Sequence, residues 1–559
     1  MTHRIFAFVA LSAVAVACGP DRVPSGERRA PLATTAVATG GADPTGGGRR
    51  TKFLTAPDEF VFVIGGEPET IDPGKARGVN ESKIVTNLFE GLTEYPLGVG
   101  DMQPGAAVNW EVSADGLTYT FHLRPDGRWS NGDPVTAEDF RYSWLRVLDK
   151  SNGSPYADML FTIRGAEDYY EGRLRDPDAV GVKVIDPLTL EVKLEYVAPY
   201  FLELAAFYTY RPVHRATVEA HGDRWTRPEN IVTNGPYVLD EWSPNQHLKA
   251  KVNPHYPDAD KLGIRRFSAL VVQENTTMVN VYEGGKLDWT GSLDLPAIQI
   301  NTLSLRADYR EDPYLGIYFY RLNVTHRFLS DARVRRALSY AVDREAIVKV
   351  IKMGISVSET YVPPMPGYTP GEGGVGFDPE AGRRLLAEAG YPDAASLPRL
   401  QLLYNTQENH KRIAEMIQQM WRRHLGLKVD LVNQEWKVYL KSQEALDYDV
   451  SRSGWIGDYL DPMTFLGMWT EGNGNNNTGW ADKEFEGLLE KARHEGDPRA
   501  RSALLTRAES ILLQRGPVLP IYSYARAYLL NPAVQGFAPH PTDEHPIRYM
   551  RKTRPEAAP

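Results

Sequence analysis

One thiol, Cys18, twelve histidines and acid pairs such as Asp458 and Asp461 are the groups of this chain that could do chemistry. A thiol needs a second cysteine for a disulfide, and Cys18 is the only one in 559 residues. The histidines are scattered, without the i, i+4 pair that presents two imidazoles to a metal on one helix face. The sequence contains no GxxxxGK[ST] phosphate loop, no HExxH helix and no GxSxG nucleophile elbow. Carboxylates a few residues apart are common on surfaces, where they cap helices or face water. No nucleophile–base constellation is visible, so a hydrolase has no candidate machinery, and no metal or other cofactor is implied.

Cys18 has its own context. Arg4 gives a positive start, and Ile5 to Val16 is apolar except for Ser12. A bilayer-spanning helix needs about 20 apolar residues, so this run fits the apolar region of a signal peptide instead. Ala15-Val16-Ala17-Cys18 resembles a bacterial lipobox, in which the cysteine becomes a lipidated N-terminus. Ala15 stands where such a motif usually has Leu, and Ala15-x-Ala17 also fits an ordinary secretory cleavage site. The sole thiol at the cleavage point favours lipidation. Residues 1–18 are thus expected to be a lipoprotein signal peptide. Residues 19–57, with Gly40-Gly41 and Gly46-Gly47-Gly48, are expected to be a flexible tether.

The rest has the composition of a large globular body, with 42% apolar and 24% charged residues. A net charge of −9 offers no basic face for nucleic acid. Phe60 to Ile64, before Gly65-Gly66, predicts a buried strand, and Leu117 to Leu123 alternates with period two. Thr136 is placed to cap a helix opened by Ala137-Glu138-Asp139. Helical spacing runs from Asp331 to Lys352. Asp378-Pro379 opens a helix over Glu380 to Ala389 that stops at Gly390, and Met416 to His424 forms another that stops at Gly426. Strand-like and helical runs alternate, which argues α/β or α+β with more than one lobe.

Longer blocks are more specific. They include Glu67-Pro68-Glu69-Thr70-Ile71-Asp72-Pro73, Gly78-Val79-Asn80-Glu81-Ser82 and Trp129 to Phe140. Further along stand Ser154-Pro155-Tyr156-Ala157, Asn230 to Tyr237, Asn433-Gln434-Glu435-Trp436-Lys437 and Gly454-Trp455-Ile456-Gly457-Asp458-Tyr459. In order and spacing these resemble the family 5 extracellular solute-binding proteins, and within that class the oligopeptide-binding type. The resemblance runs from about Phe60 to Met550.

It implies an α/β, two-lobed periplasmic-binding-protein-like fold of the large class, with an extra subsidiary domain and a hinge around a ligand cleft. By similarity, lobe I would take 58–93, 216–315 and 525–559, the subsidiary domain 94–215, and lobe II 316–524. The implied ligand is a short peptide bound extended, its backbone pairing like an added strand with Glu81-Ser82-Lys83 and with Arg452 through Ile456, Gly454 and Trp455 included. Asp458 matches the position that pairs with the peptide's free amine. Arg452, His410 and Lys352 match positions that meet its carboxylate at different lengths. Trp436, Trp455 and Tyr156 match rings that line pockets or contact the backbone. Relatives carry a disulfide linking the positions of Gly316 and Ile456, neither of which is Cys here, and Gln443 stands where a basic residue is expected. The implied partners are short peptides, the permease subunits of an ABC importer and a membrane reached through the lipid. A monomer is expected. Two other readings stay open: a binder of another solute on the same fold, such as a nickel chelate, opine or sugar, and a peptide-sensing receptor or chaperone that feeds no transporter.

Overall fold

The apolar run that opens the globular part forms the strand Glu59–Ile64, with Phe60, Phe62, Val63 and Ile64 buried. The computed structural model describes residues 51–291, 294–365 and 367–553. The segment 1–18, Cys18 and most of the expected tether lie outside the described residues. The tether's last residues are held to the body: Leu54 N donates to Gly285 O at 2.7 Å, Thr55 Oγ1 donates to Asp288 Oδ1 at 2.8 Å, and Phe53 meets the Tyr282 ring edge-on. Phe53, packed against the core beside Tyr282, and the main chain of Leu54 give it that hold. Among the described residues no helix is long and apolar enough to cross a membrane.

Three sheets organise the chain. Glu59–Ile64 lies parallel to Arg266–Val271, and antiparallel His247–Val252 and Tyr237–Ser243 complete a four-stranded sheet. A second, wholly antiparallel sheet has the order Ala107–Val112, Thr118–Leu123, Thr189–Lys193, Val182–Asp186. Its Thr118–Leu123 strand alternates half-buried and buried residues, the period-two pattern expected. The third sheet has six strands in the order Ser356–Val357, Val518–Leu529, Tyr309–Leu322, Val450–Ile456, Arg399–Asn405, Lys428–Gln434. Tyr309–Leu322 and Val518–Leu529 run antiparallel from Tyr309 opposite Leu529 to Arg321 opposite Val518. At their outer end Trp289 bridges Leu530 and also Phe62 of the first sheet. The chain thus passes between the first and third sheets along two neighbouring strands.

Local signals fix several helix ends. Thr136 N donates to Asp139 Oδ2 at 2.7 Å at the start of Ala137–Val147. Asp378 Oδ1 accepts from Ala381 N at 2.9 Å to cap Pro379–Glu388, and Gly390 beyond its end has φ +95°. The single helix expected from Asp331 to Lys352 is two, Ala332–Tyr340 and Arg344–Ile351. Asp343 breaks it, accepting from Ala346 N at 2.9 Å as the cap of the second. The helix expected from Met416 begins at Glu408 and runs to Leu425, so His410 lies in its first turn.

Gly316 and Ile456 are directly opposed in the antiparallel pair of Tyr309–Leu322 with Val450–Ile456. Cysteines at such a pair are within the Cα separation that a disulfide spans. A lone side chain at Gly316 is crowded: its Cβ would stand 2.4 Å from Ile456 Cδ1 and 2.9 Å from Tyr524 Cδ2. Shortening residue 456 to cysteine removes the first of these contacts. The double variant Gly316→Cys, Ile456→Cys is expected to oxidise spontaneously and to gain about 2–4 kcal/mol over its reduced form. Urea unfolding with and without reductant measures the gain. A midpoint that reductant leaves in place would refute it.

Candidate functional site

A cavity of about 150 Å³ lies against the second half of the strand Val450–Ile456. One edge of that strand is covered along its length by Tyr309–Leu322, from Leu322 opposite Val450 to Gly316 opposite Ile456. The other edge is covered by Arg399–Asn405 only at Val450 and Ser451. From Arg452 onward this second edge faces the cavity. An extended strand turns the main-chain groups of alternate residues to opposite edges. Gly457 N donates to Leu315 O at 2.8 Å on the covered side, while Arg452 O accepts from Tyr439 Oη on the open side. The alternation therefore presents Gly454 and Ile456 main-chain groups to the cavity, and turns those of Trp455 away. At Gly454 a Cβ would stand 2.7 Å from Tyr524 Oη, so a larger residue there would displace the Tyr524 ring.

Asp458 follows at the end of this edge. Its Oδ2 accepts from Thr464 Oγ1 at 3.0 Å and its Oδ1 from Tyr156 Oη at 3.4 Å. Among the described residues no cation forms an ion pair with it. Burial drives its pKa well above the usual carboxylate range; the Thr464 hydrogen bond opposes the rise and the charge of Asp158 adds to it. Asp158 is itself pushed up to about 6 by burial. Glu544 lines the same cavity, its Oε1 accepting from Ser82 Oγ at 3.1 Å, and burial raises its pKa too. Tyr95, Tyr156, Phe207 and Tyr208 complete the wall at this acidic end.

Arg452 is the cation at the other end of the open edge. Its guanidinium lies 4.6 Å from the Tyr318 ring centre and donates to Tyr524 Oη at 2.9 Å and to Asn405 Oδ1 at 3.3 Å. Its Nε is buried without a partner among the described residues. Burial works against its charge, but the hydroxyls of Tyr524, Tyr318 and Tyr439 outweigh that and raise its pKa. Extended chain of this length spans about 20 Å at about 3.3 Å per residue. An open strand edge with an unpaired acid at one end and an unpaired guanidinium at the other complements an extended zwitterion.

Of the expected rings, Tyr156 packs between Phe207, Tyr208 and Trp455, with ring centres 5.5, 5.8 and 6.1 Å away. Trp455 Nε1 donates to Thr464 O at 2.8 Å, and Trp436 stacks on Tyr439. All three line the cavity.

The expectation of strand pairing at Glu81-Ser82-Lys83 is corrected. These residues belong to the helix Val79–Leu88, where Ser82 N donates to Gly78 O at 2.9 Å, so their main chain cannot join a ladder. Val85 and Leu88, at helical spacing behind them, are fully buried and select the helix. Ser82 and Lys83 still line the cavity, and Lys83 Nζ pairs with Asp543 Oδ2 at 2.8 Å. Glu81 lies behind the wall, accepting from Glu69 N at 2.8 Å. His410 is also outside the lining, its Nδ1 3.5 Å from Tyr318 Oη. Burial and the neighbouring Arg452 hold its pKa well below the usual histidine value, so it is a neutral ring and not the cation expected. Lys352 is exposed past the end of Arg344–Ile351 and donates to Asn301 Oδ1 at 2.9 Å, away from the cavity wall. Cavity residues that sequence reasoning missed include Arg321 and Glu544. Neither stands in a recognisable block, and Ser82 and Glu544 are 462 residues apart in the chain. Among the described residues no three His, Cys, Asp or Glu groups are placed to hold a metal.

Ion pairs stand beside the cavity, which Arg77 lines. Arg77 Nη2 lies 2.9 Å from Glu444 Oε1, and Lys441 Nζ lies 2.7 Å from Glu69 Oε1, joining the helix Trp436–Glu444 to the segment after the first strand.

A family model described as bacterial extracellular solute-binding proteins, family 5 Middle, matches residues 101–477. The oligopeptide-binding protein OppA of Bacillus subtilis is 35% identical over 518 residues, which is 90% of this chain and 94% of that protein. The structure of Haemophilus influenzae OppA in complex with RPPGFSPFR superposes with a TM-score of 0.84 at 33% identity, covering 90% of this chain and 100% of the other. For the Escherichia coli murein tripeptide binding protein MppA the TM-score is 0.83 at 34% identity, covering 90% and 100%. Against the unliganded open form of MppA it falls to 0.58 at 33% identity, covering 90% and 99%. At nearly the same identity, this chain therefore superposes better on the first of these MppA structures than on the open form. The fold is the two-lobed α/β periplasmic-binding-protein type. Matched by the family's own model and, along 90% of its length, by such a relative, the chain belongs to the bacterial extracellular solute-binding proteins of family 5.

Proposed function

We propose that this chain captures short peptides with free N-termini, largely irrespective of their side chains, and delivers them to an ABC importer. The observation that carries the reading is the open edge of Val450–Ile456 ending in the unpaired carboxylate of Asp458. A peptide added to that edge gains main-chain hydrogen bonds at Gly454 and Ile456 whatever its sequence. Its ammonium meets Asp458, and its chain runs antiparallel to the strand so that the carboxylate end points toward Arg452. Trp436, Trp455 and Tyr156 flank the side chains. The relatives named above bind an oligopeptide or a murein tripeptide, which supports the same class here.

Closure follows from the same geometry. The proposed lobes, 58–93 with 216–315 and 525–559 against 316–524, are joined by the two long neighbouring strands. Bending there, with the Arg77–Glu444 and Lys441–Glu69 pairs released, opens the mouth. Residues 94–215 form the subsidiary domain. Lipidation at Cys18 tethers the monomeric binding body outside the cell, at the surface from which the importer draws its cargo.

Mass spectrometry of the purified protein after gentle denaturation is expected to release a mixture of short peptides with unblocked N-termini. Stripped protein is expected to rebind such peptides by calorimetry. A body that releases none and rebinds none is not a peptide binder.

A further inference from the structure

The open edge has two faces, and the expected residues account for only one of them. Residues opposite each other in an antiparallel pair share a face, as do alternate residues of one strand. Arg452 is opposite Tyr320 and shares its face with Tyr318. Arg321 is opposite Ser451 and shares the other face with Phe319, Ser453 and Trp455. An added strand sends its own side chains alternately to these two faces.

Arg321 lines the cavity and is only 4% exposed. Its Nε donates to Ser453 Oγ at 3.1 Å and its Nη1 to Asn475 O at 2.6 Å. The guanidinium lies 5.4 Å from the Trp469 ring centre and 5.7 Å from that of Phe319. Among the described residues its Nη2 has no hydrogen-bond acceptor, and no Asp or Glu forms an ion pair with it. The other cations of the wall, apart from Arg452, are already matched: Arg77 by Glu69 and Glu444, Lys83 by Asp543. Gln443 has its amide turned to Ser451 Oγ and Tyr439 Oη, at 2.9 and 2.8 Å, and is uncharged. Arg321 is thus a buried, stacked and immobilised guanidinium with one arm unused and no anion. Such a group costs desolvation energy that an incoming carboxylate offsets, with the fork geometry favouring two parallel hydrogen bonds.

We infer that Arg321 is a second carboxylate receptor of the cleft, on the face opposite Arg452, and that it selects peptides bringing a carboxylate to that face. The inference rests on the peptide reading of the same cleft. With the first residue opposite Ile456 or Trp455, its amine toward Asp458, and one peptide residue per strand residue, the fourth or third position stands opposite Ser453, which Arg321 contacts. The carboxylate is then an Asp or Glu side chain at that position, or the C-terminus of a peptide ending there.

Calorimetry with free-amine tetrapeptides tests this. Ala-Ala-Glu-Ala and Ala-Ala-Ala-Glu are compared with their Gln counterparts, and tetra-alanine with its C-terminal amide, on the full chain and on Arg321→Met. If the receptor takes side chains, the acidic peptide is expected to bind about tenfold tighter than its Gln counterpart, and the ratio to fall to about one in the variant. If it takes the C-terminus, the acid-to-amide ratio behaves that way instead. Either result supports the inference and names the source. Both ratios unchanged by the substitution overturn it. Arg321→Lys serves where Arg321→Met melts early: it keeps the charge but loses the fork, and should cut the sensitive ratio by about threefold. Wild-type protein that binds none of these peptides overturns the peptide reading itself, a result distinct from binding them all without discrimination.

Discussion

Replacing Asp458 by alanine is expected to weaken free-amine peptides by about 10²- to 10³-fold while changing N-acetylated peptides by less than about threefold. The asymmetry follows from charge. An ammonium buried in the cleft needs a counter-charge, and Asp458 is the acid placed at the end of the open edge. Acetylation removes the ammonium but leaves the main chain, which still pairs with Gly454 and Ile456. The empty protein is expected to respond in the opposite direction. A carboxylate whose folded pKa is raised costs stability above its unfolded value, and the cost is relieved as pH falls through the raised value. Alanine removes that cost, so the variant should melt no lower than the wild type at neutral pH despite losing two hydrogen bonds from Thr464 and Tyr156. Calorimetry with paired free and acetylated peptides, beside thermal melts, reads both effects. Equal losses for both peptide forms would falsify the assignment of the amine to Asp458.

What the sequence made legible was local or came in an unbroken block. Thr136, Asp378 and Gly426 announce their helix ends because a cap acts within a few residues of itself. Gly454 through Asp458, the end of the strand Val450–Ile456 and the two residues after it, form one unbroken stretch of the cavity wall. Errors arose where two local signals competed or where distance in the chain hid a contact. Asp343 reads as a polar residue inside a long helix, yet it caps a new one. Glu81 to Lys83 take a strand-pairing role from the resemblance alone, and the buried Val85 and Leu88 decide for a helix. His410 is placed by the resemblance alone among the groups that meet a carboxylate; burial and the neighbouring Arg452 hold its pKa well below the usual histidine value. Arg321 and Glu544 carry no motif. Their meaning depends on which neighbours leave them without a counter-ion, and only the folded chain fixes that.

Affinity is expected to follow a bell-shaped dependence on pH, with an acid limb that belongs to Asp458. In the empty cleft burial holds its pKa well above the usual carboxylate value, and Asp158 and Glu544 raise it further. A bound ammonium favours the charged carboxylate and pulls the value down. Between the two values the empty cleft carries a proton that the complex does not, so binding expels it. Affinity should therefore fall by up to about tenfold per pH unit as pH drops below the empty-cleft value, levelling only beneath the bound-state value. On the alkaline side the peptide's own amine, with a pKa of about 8, loses its charge and affinity falls again. Two other acids at this end titrate as well, Asp158, pushed up to about 6, and Glu544, while the raised pKa values of Tyr95, Tyr156 and Tyr208 keep those rings neutral throughout. Lys83 and Arg211 partly offset the burial that raises Glu544, whereas among the described residues no cation forms an ion pair with Asp458. Asp458→Asn keeps the shape and removes the titration. Calorimetry in buffers of different ionisation enthalpy should record proton release on binding to the wild type, rising toward one proton on the acid limb, and much less release with the variant. If the variant keeps an acid limb as steep as the wild type's, the proton comes from Asp158 or Glu544 and the ammonium does not rest on Asp458.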